Sequence, residues 1–233
     1  NYLNFVYDDT DTVLKNMIEN VINIVYDIAP NAPFSNLSVT VEKKDLGSDV
    51  LGYAYSGSNK IELNENLENS YYNKLIGQNN SGLNSIGVVL MHELLHLLGI
   101  VNIVTDASLA IWDPNIGSNG RYKYIGTNGL NGYKTVLSEN NFNTSNITYL
   151  PLEDNGGAGT WDVHFEEGYT DDSFTQYDYN ENPVLENEIM TGWVNQYNFI
   201  TPMCIGVLED IGYTVNYNSI YVTSKNNNML FNR

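Results

Sequence analysis

The stretch Ser85-Ile86-Gly87-Val88-Val89-Leu90-Met91-His92-Glu93-Leu94-Leu95-His96-Leu97-Leu98-Gly99 decides how the chain is read. It is apolar nearly all round, as a helix at the centre of a domain must be, and its main polar interruption is His92-Glu93-Leu94-Leu95-His96. Residues four apart on a helix lie one turn apart on one face, so both imidazoles can reach a single ion at about 2.0–2.1 Å. Glu93 is rotated from His92 by roughly 100°. That keeps its carboxylate off the metal but near a metal-bound water, where it can act as general base. Burying these side chains without a partner is costly, so the pattern points to the zinc site of a hydrolase. Gly99 ends the run as a left-handed C-cap.

Upstream of this helix the patterning is regular. Leu3, Phe5 and Tyr7 alternate as in a strand. From Asp11, a candidate N-cap, the residues Leu14, Met17, Ile18, Val21, Ile22, Val25 and Ile28 recur at helical spacing. Leu37, Val39 and Val41 predict a second strand, and Leu51, Tyr53 and Tyr55 a third. Ser56-Gly57-Ser58-Asn59 then turns into a fourth at Lys60 to Leu63. Strand, helix, three strands and helix in that order predict an α+β fold, a mixed sheet with helices packed on it.

Downstream the character changes. From Ile100 to Thr160 glycine and asparagine dominate and periodicity is weak. A structureless loop that long is unusual in a compact domain, so part of it is expected to be ordered on the surface. Gly156-Gly157-Ala158-Gly159 is followed by Trp161-Asp162-Val163-His164-Phe165, and Asn187-Glu188-Ile189-Met190-Thr191-Gly192-Trp193 reads as a tight turn. Thr201-Pro202 is an N-cap and first helical residue, opening a helix that ends near Gly212.

The 233 residues carry a formal net charge of −18. Such a surface repels nucleic acid and anionic membranes; it favours solubility first, and cationic peptides or calcium after that. The single cysteine, Cys204, excludes an internal disulfide and reads as a small buried apolar residue. No apolar run approaches the roughly 20 residues of a membrane span. With neither initiator methionine nor signal peptide, the chain reads as a mature form. Acceptor-type triplets begin at Asn36, Asn79, Asn143 and Asn146, but an asparagine-rich chain makes them by chance. Asp8-Asp9-Thr10-Asp11 and Asp171-Asp172 offer oxygen ligands for calcium; they lack calcium-loop spacing and read better as solvated loops.

A catalytic zinc needs a third protein ligand and one open position. The commonest extended motif continues from the second histidine as two residues, glycine, two residues, histidine. Here Leu97-Leu98-Gly99-Ile100-Val101 leads to Asn102. The third ligand therefore comes from elsewhere or the site is broken. His164 is the chain's remaining histidine, and Glu166, Glu167, Glu186 and Glu188 are the alternatives that a thermolysin-like arrangement would use.

With these residues the chain resembles the metzincin metalloproteases and, within them, the leishmanolysin-like group, which interrupts the extended motif with an insertion between its glycine and its third histidine. The similarity spans most of the chain and is strongest from Ser85 to Gly99 and from Trp161 to Tyr217. Met190, in Glu188-Ile189-Met190-Thr191-Gly192, resembles the methionine turn that underlies the metal in that family. Thr201 to Tyr217 is similar to the helix after it, and Gly52-Tyr53-Ala54 and Lys60-Ile61-Glu62-Leu63-Asn64 to its upper sheet. Eukaryotic members are rich in disulfides and carry a further C-terminal region, so this chain resembles a minimal form.

The resemblance implies a two-lobed catalytic domain. Residues 1–99 would form an N-terminal lobe with a mixed twisted sheet and two long helices. Residues 100–233 would form an irregular C-terminal lobe with the insertion, the third ligand, the methionine turn and one helix. It implies one catalytic zinc held by His92, His96 and His164, Glu93 as general base, Met190 packing below the metal, and the strand Lys60 to Asn64 as the cleft edge. The expected activity is endopeptidase cleavage of protein or peptide substrates by a secreted or cell-surface monomer. The rival readings are a catalytically silent binding or adhesion module that keeps zinc for structure, and a zinc hydrolase of non-peptide substrates. A closed structural site would need a fourth protein ligand, for which the chain offers no fourth histidine.

Overall fold

The computed structural model describes residues 1–69, 82–116, 120–154, 156–157, 159–170, 173–174, 176–178, 180–225 and 227–231, and its architecture is α+β. Asp171, Asp172, Asn79 and Ala158 lie outside the described residues. The first half runs β1 (Leu3–Val6), α1 (Thr12–Ile28), β2 (Leu37–Lys44), β3 (Gly52–Tyr55), β4 (Lys60–Asn64) and α2 (Ser85–Leu97). The Asp11 carboxylate accepts the Leu14 N–H at 2.9 Å, the N-cap of α1, and pairs with Lys43 at 2.6 Å. Asp8 accepts from Thr10 N–H and hydroxyl. These carboxylates are thus used by a cap and a local turn, and neither joins a group of converging ligand atoms among the described residues.

The sheet order is β1-β2-β4-β3, with β1, β2 and β4 parallel and β3 antiparallel to β4. Val39, Val41, Ile61 and Leu63 are buried together with Leu14, Ile18, Val21, Val25 and Ile28 of α1 in one apolar core. The Lys60–Asn64 strand is not the sheet edge that the sequence suggested. The β3–β4 hairpin folds β3 to the outside, so β4 is bonded on both sides and β3 holds the rim. The Asn64 N–H donates to the Leu51 carbonyl at 2.9 Å. By the alternation of an antiparallel ladder, Tyr53 and Tyr55 then bond β4, while the backbone groups of Gly52 and Ala54 face an edge on which no strand pairs among the described residues.

Helix α2 lies under this rim, buried from Ser85 to His96. The Asn84 side chain caps it by accepting the Gly87 N–H at 3.0 Å. At its other end Gly99 has φ +129°, a conformation that favours glycine. The Tyr213 hydroxyl donates to the Leu98 carbonyl at 2.7 Å, satisfying one of the groups that a helix end leaves open.

Beyond residue 100 the expectation of an irregular lobe with one helix is corrected. A hairpin of β5 (Ala110–Asp113) and β6 (Arg121–Tyr124) is joined by β7 (Leu150–Pro151). Among the described residues the hairpin is followed by helices α3 (Thr127–Glu139), α4 (Pro202–Asp210) and the short α5 (Asn227–Leu230). Helix α3 orders part of the segment between Ile100 and Thr160, as expected, exposing Asn131, Thr135, Ser138 and Glu139 on one face and burying Tyr133, Val136 and Leu137 on the other. Its glycines weaken the helical signal in sequence, yet they are where it meets α4. A Cβ on Gly132 would stand 2.1 Å from the Pro202 carbonyl oxygen, and one on Gly206 2.2 Å from that of Asn128. Helix α4 in turn caps α3: the Asp210 carboxylate accepts the Asn128 and Gly129 N–H groups, each at 2.9 Å. Cys204, in α4, is fully buried among apolar residues, as expected. Among the described residues no helix is long and apolar enough to cross a membrane.

Because the atoms facing Gly132 are backbone, Gly132→Ala is expected to destabilise the protein by about 3 kcal/mol or more, lowering the thermal unfolding midpoint by several degrees. Gly57→Ala, which meets nothing within 4 Å, should stay within about 0.5 kcal/mol. Equal midpoints for the two variants would refute the close helix crossing.

Candidate metal centre

His92 and His96 project from successive turns of α2, and His164 arrives from the segment that follows the glycine-rich run. Their Nε2 atoms form a nearly equilateral triangle: 3.0 Å between His92 and His96, 3.1 Å from His92 to His164 and 3.1 Å from His96 to His164. All three side chains are buried.

The outer nitrogens explain what the inner ones present. His92 Nδ1 lies 2.6 Å from the Ile189 carbonyl and His164 Nδ1 2.9 Å from the Thr160 carbonyl. A carbonyl can only accept, so both Nδ1 atoms carry the proton and both Nε2 atoms of the neutral rings present lone pairs. His96 Nδ1 is buried and has no hydrogen-bond partner among the described residues, none of which sets its tautomer. Burial lowers the His92 pKa to about 4; burial and then the His92 charge lower that of His164 to about 3. His96 lies well below the usual imidazole range, through burial and then its two neighbours. The rings are therefore neutral near pH 7, the form that binds metals. Two nitrogens bound at about 2.05 Å to a tetrahedral ion stand about 3.3 Å apart, close to the spacing found. The three histidines fit a metal ion, and the donor chemistry suits a borderline-soft ion better than calcium.

Glu93 is buried, and desolvation pushes its carboxyl up to about 8. Its neighbour is the rim strand: a Cβ on Gly52 would lie 3.1 Å from Glu93 Oε1 and 2.8 Å from Val89 Cγ1. Met190 is fully buried; its carbonyl accepts the Phe165 N–H at 2.9 Å, and Phe165 also bridges to Leu152 and Thr191. The residue after His164 is thus bonded to the turn that also bonds His92.

None of the rival glutamates belongs to the histidine group. Glu166 brings carboxylate oxygens together with Glu153 and Asp154 in a separate acidic cluster, and accepts the Gly168 N–H at 2.7 Å. Glu188, fully buried, accepts from Met190 N–H and from the Thr201 hydroxyl; burial pushes its carboxyl up to about 8 against these donors and the Thr201 backbone N–H. Asn102 falls in a 3-10 turn, Ile100–Thr105.

Sequence reading missed the Ile189 and Thr160 carbonyls, because any residue type carries a carbonyl. It also missed the closeness of Gly52 to Glu93, whose one signal was a glycine in a strand pattern. Comparison with known protein families, with curated proteins and with solved structures returns no match.

His164→Ala removes one of three converging nitrogens and should sharply reduce the metal that copurifies in metal-sufficient buffer, read by elemental analysis. An unchanged metal content would remove His164 from the centre.

Proposed function

We propose that this protein is a zinc-dependent endopeptidase of metzincin type, similar to the leishmanolysin group, with its cleft between an upper lobe of residues 1–99 and a lower lobe of residues 100–233. The observation that carries this reading is the convergence of three neutral imidazoles beneath an open strand edge, with Glu93 next to that edge. His92, His96 and His164 would hold the ion. A bound zinc supplies Lewis acidity, lowering the pKa of water toward about 7 and polarising the scissile carbonyl.

The chain's own groups account for the rest. The outward backbone groups of Gly52 and Ala54 on β3 suit an extended peptide added as a further strand, which would lay its backbone across Glu93. Glycine at position 52 lets that edge approach α2 without a side chain between. Glu93 accepts a proton from the attacking water and returns it to the leaving nitrogen. Its burial supports this role: a desolvated carboxyl near a cation has both proton affinity and a reason to ionise. Met190, in the turn below, would pack under the imidazoles and set their height.

Digestion of casein by zinc-loaded protein tests this directly. Glu93→Gln should keep its zinc and lose about 10²–10⁴-fold or more in peptidase activity, since the ligands remain while the base is gone. Full activity in that variant would remove Glu93 from the mechanism. A zinc-loaded wild type that leaves casein, gelatin and short peptides intact would overturn the endopeptidase reading.

A further inference from the structure

Resting on the metal-centre reading above, we infer that Glu188 is a positioning residue, acting on His92 through the peptide bond between Ile189 and Met190. The two ends of that one peptide group are occupied by the two residues: its carbonyl, on Ile189, accepts His92 Nδ1–H, and its N–H, on Met190, donates to Glu188 Oε2. Thr201, the residue before α4, fixes the carboxylate by donating its hydroxyl to Oε1 at 3.0 Å. All of these groups are buried.

Hydrogen bonds in a chain polarise one another, and an acceptor at the end strengthens each link in a water-poor setting, most of all once Glu188 is ionised. Carboxylate, peptide and imidazole in series make the same connection as a carboxylate bonded directly to a metal-ligating histidine, which orients the ring and raises its basicity. His164 supplies an internal comparison. It also donates to a carbonyl, that of Thr160, but the N–H of that peptide belongs to Trp161 and donates to the neutral Gly157 carbonyl at 3.2 Å. The bond backed by the carboxylate is 2.6 Å long and the bond backed by the carbonyl is 2.9 Å. Glu188 therefore sets the orientation and donor strength of one ligand and not of the other.

The test compares the two imidazole protons by NMR at about pH 10, well above the value of about 8 at which the Glu188 carboxyl titrates. In the wild type, with zinc or without it, the His92 Nδ1–H should resonate further downfield than that of His164; equal or reversed positions would overturn the inference without any variant. Glu188→Gln, whose amide nitrogen cannot accept, should move the His92 proton upfield, leave that of His164 in place, and weaken zinc by about tenfold or more in chelator competition. Thr201→Val keeps the Met190 link while loosening the turn, and should lower the unfolding midpoint with zinc affinity within about threefold of wild type. A Glu188→Gln protein with native zinc affinity and an unmoved His92 proton would refute the role. Failure of the wild type to bind zinc at all would overturn the metal-centre reading, while the proton comparison would still decide whether Glu188 acts on His92.

Discussion

Three neutral imidazoles directing nitrogens at one another from 3.0–3.1 Å are the constraint on which the rest of the structure depends. The Nδ1-protonated rings of His92 and His164 turn lone pairs on each other at 3.1 Å, which repel in a buried site, and a shared cation would turn that repulsion into binding. The fold has to hold the rings in place whether or not the ion is there. It does so with two kinds of support. His92 and His96 are set by one rigid helix buried on nearly all sides. His164 comes from an irregular segment and depends on the Thr160 carbonyl, on the Phe165–Met190 hydrogen bond, and on the bridges from Phe165 to Leu152 and Thr191.

The turn around Met190 therefore has more to do than fill space. Ile189 holds His92 from one side, Met190 holds the chain next to His164 from the other, and Glu188 ties both to the start of α4. Helix α4 is in turn clamped to α3 through glycines that allow backbone contact. A continuous run from α3 through α4 to the histidine cluster results. Inserting residues between His96 and His164 adds little loop-closure entropy, because that term grows slowly with length. The segment between them is held in place by joining the core.

The first half of the chain was readable because its signals are local. Amphipathic spacing gave α1, the apolar run closed by Gly99 gave α2, and the alternating residues gave the strands. The histidine pair was legible for the same reason: four residues on a helix is a fixed distance. Two local inferences failed. The Lys60–Asn64 strand is internal, since a hairpin can fold its partner to either side and the pattern of β4 does not record which. Helix α3 was hidden because Gly129 and Gly132 lower helix propensity, and their contact with α4 lies about seventy residues away.

What the sequence by itself determined is thus the chemistry and its local geometry: an α+β chain, a buried helix carrying two imidazoles on one face, a carboxylate beside them, and one further histidine able to join. Only the tertiary structure decided that His164 does reach the pair, that Gly52 on β3 borders Glu93, and that Glu188 stands behind His92. The physical reason is the range of the interactions. Helical periodicity and capping are settled within a few residues. The third ligand and the carbonyls that orient the rings are brought together by packing and backbone hydrogen bonds between distant segments, which leave no periodic mark in the residues that make them.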